Sequence, residues 1–290
     1  MPELPEVETI RQDLRRKILN TKIVKVEVRA SNAVGGERAK FGRTLTGNAI
    51  REIERRGKLM VWRLERGDAD LLVHLKMTGQ LIYERQTDDH VEVVAGGHKL
   101  TERDFDLPNA HTRVIFTFAN RGKLFFNDLR RFGYLKLASA AEAERALSKF
   151  GIEPLTKAFT GPAFRQALGK RQTSVKAALM DQEKIAGIGN IYADEICFCA
   201  RVRPTRRVST LTIAEKKKLF ACTPRIIQKA IQHKGTTFRD YLDTEGKQGN
   251  YTNFLRVYDQ DGKPCSRCHA LIKKIKSNGR GTHFCPHCQK

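Results

Sequence analysis

The chain has 290 residues, of which 54 are Lys or Arg and 32 are Asp or Glu, so its formal net charge at pH 7 is +22. Hydrophobic residues make up 40% of the sequence, which suffices for a packed interior and excludes a disordered chain. The length suits two domains of about 150 residues each and excludes a disulfide-stapled miniprotein. The positive charge predicts a polyanionic partner, and nucleic acid fits better than a membrane because no apolar stretch approaches the about 18 residues of a spanning helix.

The first residues, MPELPEVETI, place two prolines and three acids where a secretory signal would carry basic and then apolar residues. We therefore expect a cytoplasmic protein. The chain has seven cysteines, of which four lie in two C-x2-C pairs near the C-terminus, so metal binding is favoured over disulfides in a reducing compartment. Three of them, Cys197, Cys199 and Cys222, are predicted to be buried thiols.

The predicted secondary structure changes from strands to helices along the chain. A helix over residues 5–19 is followed by β-rich runs that predict an antiparallel sandwich or flattened barrel, at 22–30, 59–65, 71–77, 112–118, 123–129 and 134–138. Residues 86–110 have no clear period and contain Gly96, Gly97 and Pro108, so a mobile surface loop is predicted there. From about residue 139 four helical segments are predicted: 140–147, 175–185, 190–198 and 213–233.

Four cysteines near the C-terminus have the spacing C-x2-C-x16-C-x2-C, which predicts one structural zinc ion bound by Cys265, Cys268, Cys285 and Cys288. A mixed ligand set is the alternative, because three histidines lie nearby: His269, His283 and His287. Between the two pairs, LIKKIKSNGRGTHF predicts a β-hairpin with Arg280 at its tip. A basic hairpin of this kind suits a phosphate or a groove.

Removal of Met1 would leave Pro2 with a free secondary amine, and Glu3 and Glu6 follow within one helical turn. A deprotonated amine can form a Schiff base with a carbonyl-like carbon, and nearby carboxylates can supply or accept protons. Taken alone, acids at a helix start are ordinary partners of the helix dipole.

The run MPELPEVET closely resembles the N-terminal signature of formamidopyrimidine-DNA glycosylases, the bacterial enzymes that excise oxidised purines. Further blocks follow in the family's order: RRGK at 55–58, HLKMTGQL at 74–81, NDLRRFG at 127–133, GIGNIYADE at 187–195, KGTTFRDY at 234–241 and the terminal cysteine motif. These seven blocks span nearly the whole chain.

The resemblance implies an α+β fold with three domains. A catalytic β-sandwich flanked by helices would occupy 1–135, and a helical helix-two-turn-helix DNA-binding domain would occupy 136–245. A zinc-finger β-hairpin would occupy 246–290. The resemblance also implies a bacterial cytosolic or nucleoid location, damaged duplex DNA as partner, no membrane, and a monomer.

The resemblance assigns catalytic roles to five residues. Pro2 would attack C1′ of the damaged nucleotide, Glu3 would assist opening of the deoxyribose ring, and Glu6 would be a supporting carboxylate. Lys58 would contact phosphate and donate a proton in β-elimination. Arg280 would grip the phosphates flanking the lesion and assist δ-elimination.

Six further residues match the family's DNA-contacting positions: Met77, His111, Arg130, Phe132, Lys176 and Asn190. Met77, Arg130 and Phe132 would fill the gap left by the extruded base, although a Met and a Phe in strands are by default core residues. Asn190 would bind phosphate at a helix N-terminus. His111 lies in NAHTRV, where many relatives carry an HDH triplet. Residues 234–251 resemble the loop that folds over the flipped base.

Two other functions fit parts of this pattern. A non-catalytic zinc-finger protein could bind nucleic acid by charge alone, but binding requires neither an imino terminus nor an adjacent acid. The sister enzyme endonuclease VIII, which removes oxidised pyrimidines, typically starts PEGPE and fills the gap differently. The PELPE start and the complete trio of Met77, Arg130 and Phe132 favour the purine-specific branch.

Overall fold

The computed structural model describes residues 1–87, 91–97, 106–236 and 251–290. These residues form two compact units. The first contains residues 1–147 and 234–236, and the second contains residues 148–233 and 251–290. The three-domain division at residues 135 and 245 stays a prediction.

The described residues of the first unit form three helices and ten strands. The helices are α1 (Leu4–Ile18), α2 (Arg38–Leu45) and α3 (Ala140–Ser148), the last ending at the boundary of the unit. The strands are β1 (Ile23–Val28), β2 (Val34–Gly35), β3 (Ile50–Arg56), β4 (Leu59–Leu64), β5 (Ala69–His74), β6 (Gly79–Gln86), β7 (Val91–Gly97), β8 (Thr112–Phe118), β9 (Lys123–Asp128) and β10 (Tyr134–Ser139).

The strands form two five-stranded sheets that pack face to face. Their orders are β1-β8-β9-β6-β7 and β2-β10-β5-β4-β3, antiparallel except where β2 meets β10. Trp62 of one sheet and Phe116 of the other are fully buried, with ring centroids 6.1 Å apart. Helix α1 packs against the edge strands β3 and β7, which protects those edges. The predicted antiparallel sandwich flanked by helices is confirmed.

The prediction of a loop over residues 86–110 was wrong for its middle part. Residues 91–97 form β7, which pairs along its whole length with β6. Gly97 has a φ of +126°, and a Cβ atom there would lie 2.3 Å from the carbonyl oxygen of Gly79. The glycine therefore permits close approach of two strands. A glycine in the sequence can mark either such a contact or a loop, and the sequence pattern alone does not distinguish the two. Residues 88–90 and 98–105 lie outside the described residues.

The second unit contains helices α4 (Gly161–Leu168), α5 (Val175–Leu179), α6 (Asn190–Ala200) and α7 (Ile213–Gln232), and a hairpin of β11 (Lys273–Ser277) and β12 (Arg280–Phe284). The helix predicted over 175–185 ends at Leu179. Gln182 explains the early end, because its side-chain amide donates to the carbonyls of Met180 and Ile188 and accepts from Gly187. These contacts fix a turn in place of further helix.

The prediction of three buried thiols was wrong for two of the cysteines. Cys199 of α6 and Cys222 of α7 form a disulfide with their Cα atoms 5.9 Å apart. The packing of these two helices brings the residues together, and a separation of 23 residues in sequence carries no local signal of it. Cys197 is a buried free thiol, as predicted, and burial raises its pKa. Within the described residues, no helix is both long and apolar enough to cross a membrane.

Candidate active site and DNA-binding surface

The N-terminus lies in a buried environment at the start of α1. Pro2 is buried, and Glu3 and Glu6 are each only 1% exposed. The Glu3 backbone N–H donates to Glu6 Oε2 at 2.9 Å, which fixes one carboxylate oxygen at the helix start. Burial lowers the pKa of the Met1 amine, while Glu3 and Glu6 oppose that shift and Lys58 adds to it. The amine, the two carboxylates and Lys58 therefore lie close enough to interact electrostatically.

Glu6 also holds the chain just before residues 237–250. Its Oε1 accepts from the backbone N–H of Thr236 at 2.8 Å and from the Thr236 hydroxyl at 3.1 Å. Gly235 has a φ of +77°, and a Cβ there would lie 2.6 Å from the same oxygen. One carboxylate thus joins the helix start to the entry of the predicted base-covering loop. Residues 237–250 of that loop lie outside the described residues.

Lys58 occupies the two-residue turn between β3 and β4. Gly57 supplies the positive φ, +58°, and Arg56 pairs with Leu59 across the turn. Arg55 donates to the Gly57 carbonyl at 3.0 Å and to Glu8 at 2.8 Å, so the turn is tied to α1. Lys58 is 5% exposed, which is unusual for an ammonium group in a turn.

Glu8 is ionised and firmly held. Burial opposes its ionisation, but hydrogen bonds from Arg11, Arg55 and Gln12 lower its pKa to about 2. Glu8 therefore acts as a structural anion that orients Arg55 beside the Lys58 turn.

Met77, Arg130 and Phe132 lie together on the surface of the first unit. Met77 is 41% exposed and Phe132 is 52% exposed. The Arg130 guanidinium donates to the Met77 sulfur at 3.3 Å and stacks on the Phe132 ring at 4.7 Å. The default assignment of Met77 and Phe132 to the core is therefore wrong, and the two loops after β5 and β9 bring all three side chains together.

A buried polar cluster supports these loops and was not identified from the sequence. The Asp128 carboxylate accepts from the Thr78 hydroxyl and from the backbone N–H groups of Arg130 and Gly133. The Arg113 guanidinium donates to the Asp128 carbonyl at 2.9 and 3.0 Å. His111 is half-buried, and its carbonyl accepts from the Asp128 N–H at 2.9 Å. His111 therefore belongs to the same supported loop cluster.

In the second unit, Lys176 and Asn190 lie in different environments. Lys176 on α5 is 4% exposed, and its ammonium pairs with Asp194 at 2.8 Å and donates to the Gly281 carbonyl at 2.7 Å. Asn190 is the first residue of α6, and its Oδ1 has no hydrogen-bond partner among the described residues. A DNA contact by either residue stays a prediction.

Arg280 lies at the tip of the hairpin, as predicted. Ser277 pairs with Arg280 across Asn278 and Gly279, whose φ values are +48° and +74°. Positive φ at both central positions is typical of a type I′ turn. Arg280 is exposed and lines a pocket together with Lys176 and Ser174.

The four predicted zinc ligands converge at the base of the hairpin. The sulfur atoms of Cys265, Cys268, Cys285 and Cys288 all lie within 4.8 Å of one another. Sulfur atoms 2.3 Å from a tetrahedral zinc would be about 3.8 Å apart. The Cys265–Cys288 and Cys268–Cys285 sulfur distances are 3.9 and 3.5 Å. The residues therefore fit one structural zinc ion held by four cysteines, and His283 instead faces Asp194.

The structure thus brings Pro2, Glu3, Glu6 and Lys58 together in one unit. It also groups the exposed trio with His111 on that unit. Lys176, Asn190, Arg280 and the zinc ligands belong to the other unit.

Three family models match the chain in sequence order. Residues 1–135 match the formamidopyrimidine-DNA glycosylase N-terminal domain, and residues 150–241 match the H2TH domain of the same enzymes. Residues 262–290 match a zinc finger found in FPG and IleRS.

Individual relatives and solved structures indicate the same family. The formamidopyrimidine-DNA glycosylase of Pelotomaculum thermopropionicum is 40% identical, with 100% of this chain and 99% of that protein covered. A Lactococcus lactis Fpg mutant complexed with Fapy-dG DNA is 34% identical with a TM-score of 0.85, covering 100% of both chains. A complex of the same enzyme with abasic-site DNA has the same identity and TM-score, covering 99% of each chain. The chain therefore belongs to the formamidopyrimidine-DNA glycosylase family, the DNA repair enzymes that excise damaged bases and cleave the strand at the resulting abasic site.

Proposed function

We propose that this enzyme removes oxidised purines, 8-oxoguanine and formamidopyrimidines, from duplex DNA through a Schiff base on Pro2 and cleaves the strand by β,δ-elimination. The observation that carries the proposal is the buried Pro2, which precedes the buried Glu3 at a chain terminus that interacts electrostatically with Glu3, Glu6 and Lys58. The Lactococcus lactis complexes with Fapy-dG and abasic-site DNA support the choice of substrate.

The burial of the N-terminus supports its role as a nucleophile. Removal of Met1 exposes the secondary amine of Pro2, and the shielding that lowers the pKa of the present terminal amine favours the neutral form. The nitrogen lone pair attacks C1′, and the glycosidic bond breaks with its electron pair leaving on the base. The attacking nitrogen then loses its N–H proton to the departing base, which restores the nitrogen lone pair. That lone pair forms the C1′=N bond as the C1′–O4′ bond breaks, and Glu3 protonates O4′, so that the iminium ion results.

Two cations assist the later eliminations. Lys58 contacts the phosphate near the lesion and donates a proton as the 3′ phosphate leaves in β-elimination. Arg280 grips the flanking phosphates and stabilises the charge that develops in δ-elimination. The zinc ion supplies no chemistry, because its four cysteine ligands leave no open position.

The exposed trio suits extrusion of the damaged nucleotide. Opening the stack costs a few kcal/mol, and side chains that occupy the gap offset that cost. Arg130 stacked on Phe132 forms a flat wedge, and Met77 contacts the same guanidinium. The Asp128 cluster holds both loops in place for this insertion.

Phosphate contacts would come from both units. His111 is joined to the loop of the wedge through Asp128. The side-chain N–H group of Asn190, which lies 3.5 Å from the Tyr258 hydroxyl, would donate to phosphate at the start of α6. Lys176 would act at the pocket that it shares with Arg280. We propose that the enzyme binds DNA as a monomer in the bacterial cytosol or nucleoid.

Borohydride trapping tests this proposal. Purified protein, shown by mass spectrometry to lack Met1, is mixed with a duplex that carries one 8-oxoguanine opposite cytosine. We expect a covalent adduct with the wild type and none with Pro2→Gly. An adduct formed only on oxidised pyrimidines would favour the sister specificity. Tight binding without adduct or cleavage would indicate a binding protein.

A further inference from the structure

A second cluster of metal-binding side chains lies in the second unit, separate from the four cysteines. One ligand atom from each of Asp259, Asp261 and His283 lies within 4.8 Å of the other two. Asp259 and Asp261 are exposed in the segment before β11, and His283 lies on β12. Exposed carboxylates alone are common, so the burial and contacts of the histidine decide whether this cluster can bind a metal ion.

His283 is buried and its orientation is fixed. It is 3% exposed, and its ring packs edge-on against Tyr258 with centroids 4.8 Å apart. Its backbone N–H and its Nδ1 lie 2.9 and 3.2 Å from the same oxygen of Asp194. A carboxylate can only accept hydrogen bonds, so Nδ1 carries the proton. Asp194 is itself fully buried and ion-paired with Lys176.

The other ring nitrogen, Nε2, lies on the side of Asp261. His283 Nε2 is buried and has no hydrogen-bond partner among the described residues. It lies 3.6 Å from Asp261 Oδ1, which is too far for a hydrogen bond. A buried ring nitrogen without a hydrogen-bond partner is unfavourable, and a metal ion bound between this nitrogen and the two carboxylates would satisfy all three groups.

One nearby lysine supplies a positive charge but only partly neutralises this cluster. Lys274 Nζ lies 3.8 Å from Asp261 Oδ1, and its side chain is 49% exposed. An exposed ion pair at this distance contributes little, and no hydrogen bond joins Lys274 to His283 within the described residues.

We propose that Asp259, Asp261 and His283 bind a divalent transition-metal ion such as Mn²⁺, with water at the remaining positions. The 3.6 Å between His283 Nε2 and Asp261 Oδ1 is less than twice a metal–ligand distance of about 2.1 Å, so both atoms can bind one ion. Metal-bound histidines commonly donate their other N–H to a carboxylate, as His283 does to Asp194. The bound ion joins the 259–261 segment to β12.

The test is Mn²⁺ titration of the full-length, zinc-loaded protein, followed by electron paramagnetic resonance. Mn²⁺ prefers oxygen and nitrogen ligands to thiolates, so it reports on this cluster without displacing zinc. We expect one bound Mn²⁺ per chain, with electron-spin-echo modulation from a directly bound imidazole nitrogen. Zinc content stays at one ion per chain throughout.

Two variants make the test specific. Asp261→Asn keeps the shape of the side chain but removes its charge. We expect the affinity for Mn²⁺ to fall at least about tenfold, because loss of a residue that only supports a metal ligand already lowers metal affinity by about that factor. Asp68→Asn, which changes an exposed carboxylate of the first unit, is expected to bind as the wild type does. Equal binding by the wild type and Asp261→Asn, absence of nitrogen modulation, or no Mn²⁺ binding would each overturn the proposal.

Discussion

Lys58 and Arg280 carry the same charge but are held in opposite ways. Lys58 is 5% exposed, in a tight turn between two strands of a ten-stranded sandwich. Arg280 is exposed at the tip of a two-stranded hairpin whose base is the zinc site. A shielded ammonium suits proton transfer near a buried amine, whereas an exposed guanidinium suits contact with phosphate. The first site therefore depends on burial in the sandwich and the second depends on the metal.

The largest expected effect comes from the buried carboxylate beside the N-terminus. Glu3→Gln keeps the shape of the side chain but removes its acid function, so we expect the rate of base excision to fall about 10²- to 10⁴-fold. Single-turnover cleavage of an 8-oxoguanine duplex measures this rate. Glu142→Gln is the matched control, because Glu142 accepts from the Ser139 N–H at the start of α3 and is exposed. Equal rates for Glu3→Gln and the control would contradict the role of Glu3.

Loss of zinc is expected to disable the hairpin and spare the sandwich. Cys265→Ser should lose the ion, and strand cleavage should fall about 10²-fold because Arg280 is no longer held. Trp62 is the only tryptophan and is fully buried in the sandwich, so its fluorescence reports denaturant unfolding of the first unit. We expect that unfolding midpoint to be unchanged.

Zinc analysis supplies the control for this prediction. Cys197→Ala removes a buried free thiol outside the four-cysteine cluster and should keep one zinc per chain. Full zinc content and full activity in Cys265→Ser would show that the four-cysteine assignment is wrong.

Substitution of Arg280 itself is expected to have a smaller effect, on the salt dependence of DNA binding. Each phosphate neutralised by a basic side chain contributes about −0.9 to the slope of log affinity against log salt concentration. Arg280→Ala should make this slope shallower by about that amount, as measured by fluorescence anisotropy with lesion duplex. Lys217→Ala, which changes an exposed lysine on α7, is the control. An unchanged slope for Arg280→Ala would mean that the hairpin tip does not contact phosphate.

The smallest expected effect on catalysis comes from Glu8, whose role is structural. The pKa of Glu8 is about 2 in the folded protein and 4.5 ordinarily. Its stabilising contribution is therefore complete above about pH 4.5 and is lost as the pH falls towards 2. Glu8→Gln should lower the free energy of unfolding by about 1.5–3 kcal/mol at pH 7.

Denaturant unfolding between pH 7 and pH 3 measures this difference. It should shrink as the pH decreases below 4.5. Glu52→Gln, which changes an exposed partner of Arg15, is expected to have little effect at any pH. A Glu8→Gln difference that does not change with pH would show that the charge of Glu8 is not the stabilising feature.

Local sequence patterns predicted helix α1 and the zinc hairpin, whose geometry depends on residues close together in the chain. The apolar spacing of Val7, Ile10 and Leu14 specified α1, and all three residues are buried. The cysteine spacing and the Asn278–Gly279 pair specified the zinc hairpin, because ligand geometry and turn geometry each span a few residues. Strand β7 was missed because Gly97 serves a close strand contact instead of a turn.

Long-range contacts account for what the sequence did not predict. The hydrogen bond between Thr78 and Asp128 spans 50 residues, and the disulfide joins helices 23 residues apart. Neither leaves a periodic signal. The exposure of Met77 and Phe132 contradicts their residue types, so only the family resemblance predicted it. Similarly, the Asp194 carboxylate that orients His283 lies 89 residues before it.

In the proposed mechanism the nucleophile is the N-terminal amine of Pro2 and not the nearby ammonium of Lys58. Peptide mass spectrometry of the borohydride-trapped adduct distinguishes the two amines directly. We predict that the sugar remnant is attached to the peptide that begins with Pro2, on its terminal nitrogen. Attachment to the peptide that contains Lys58, from protein shown to lack Met1, would show that Lys58 and not Pro2 is the nucleophile.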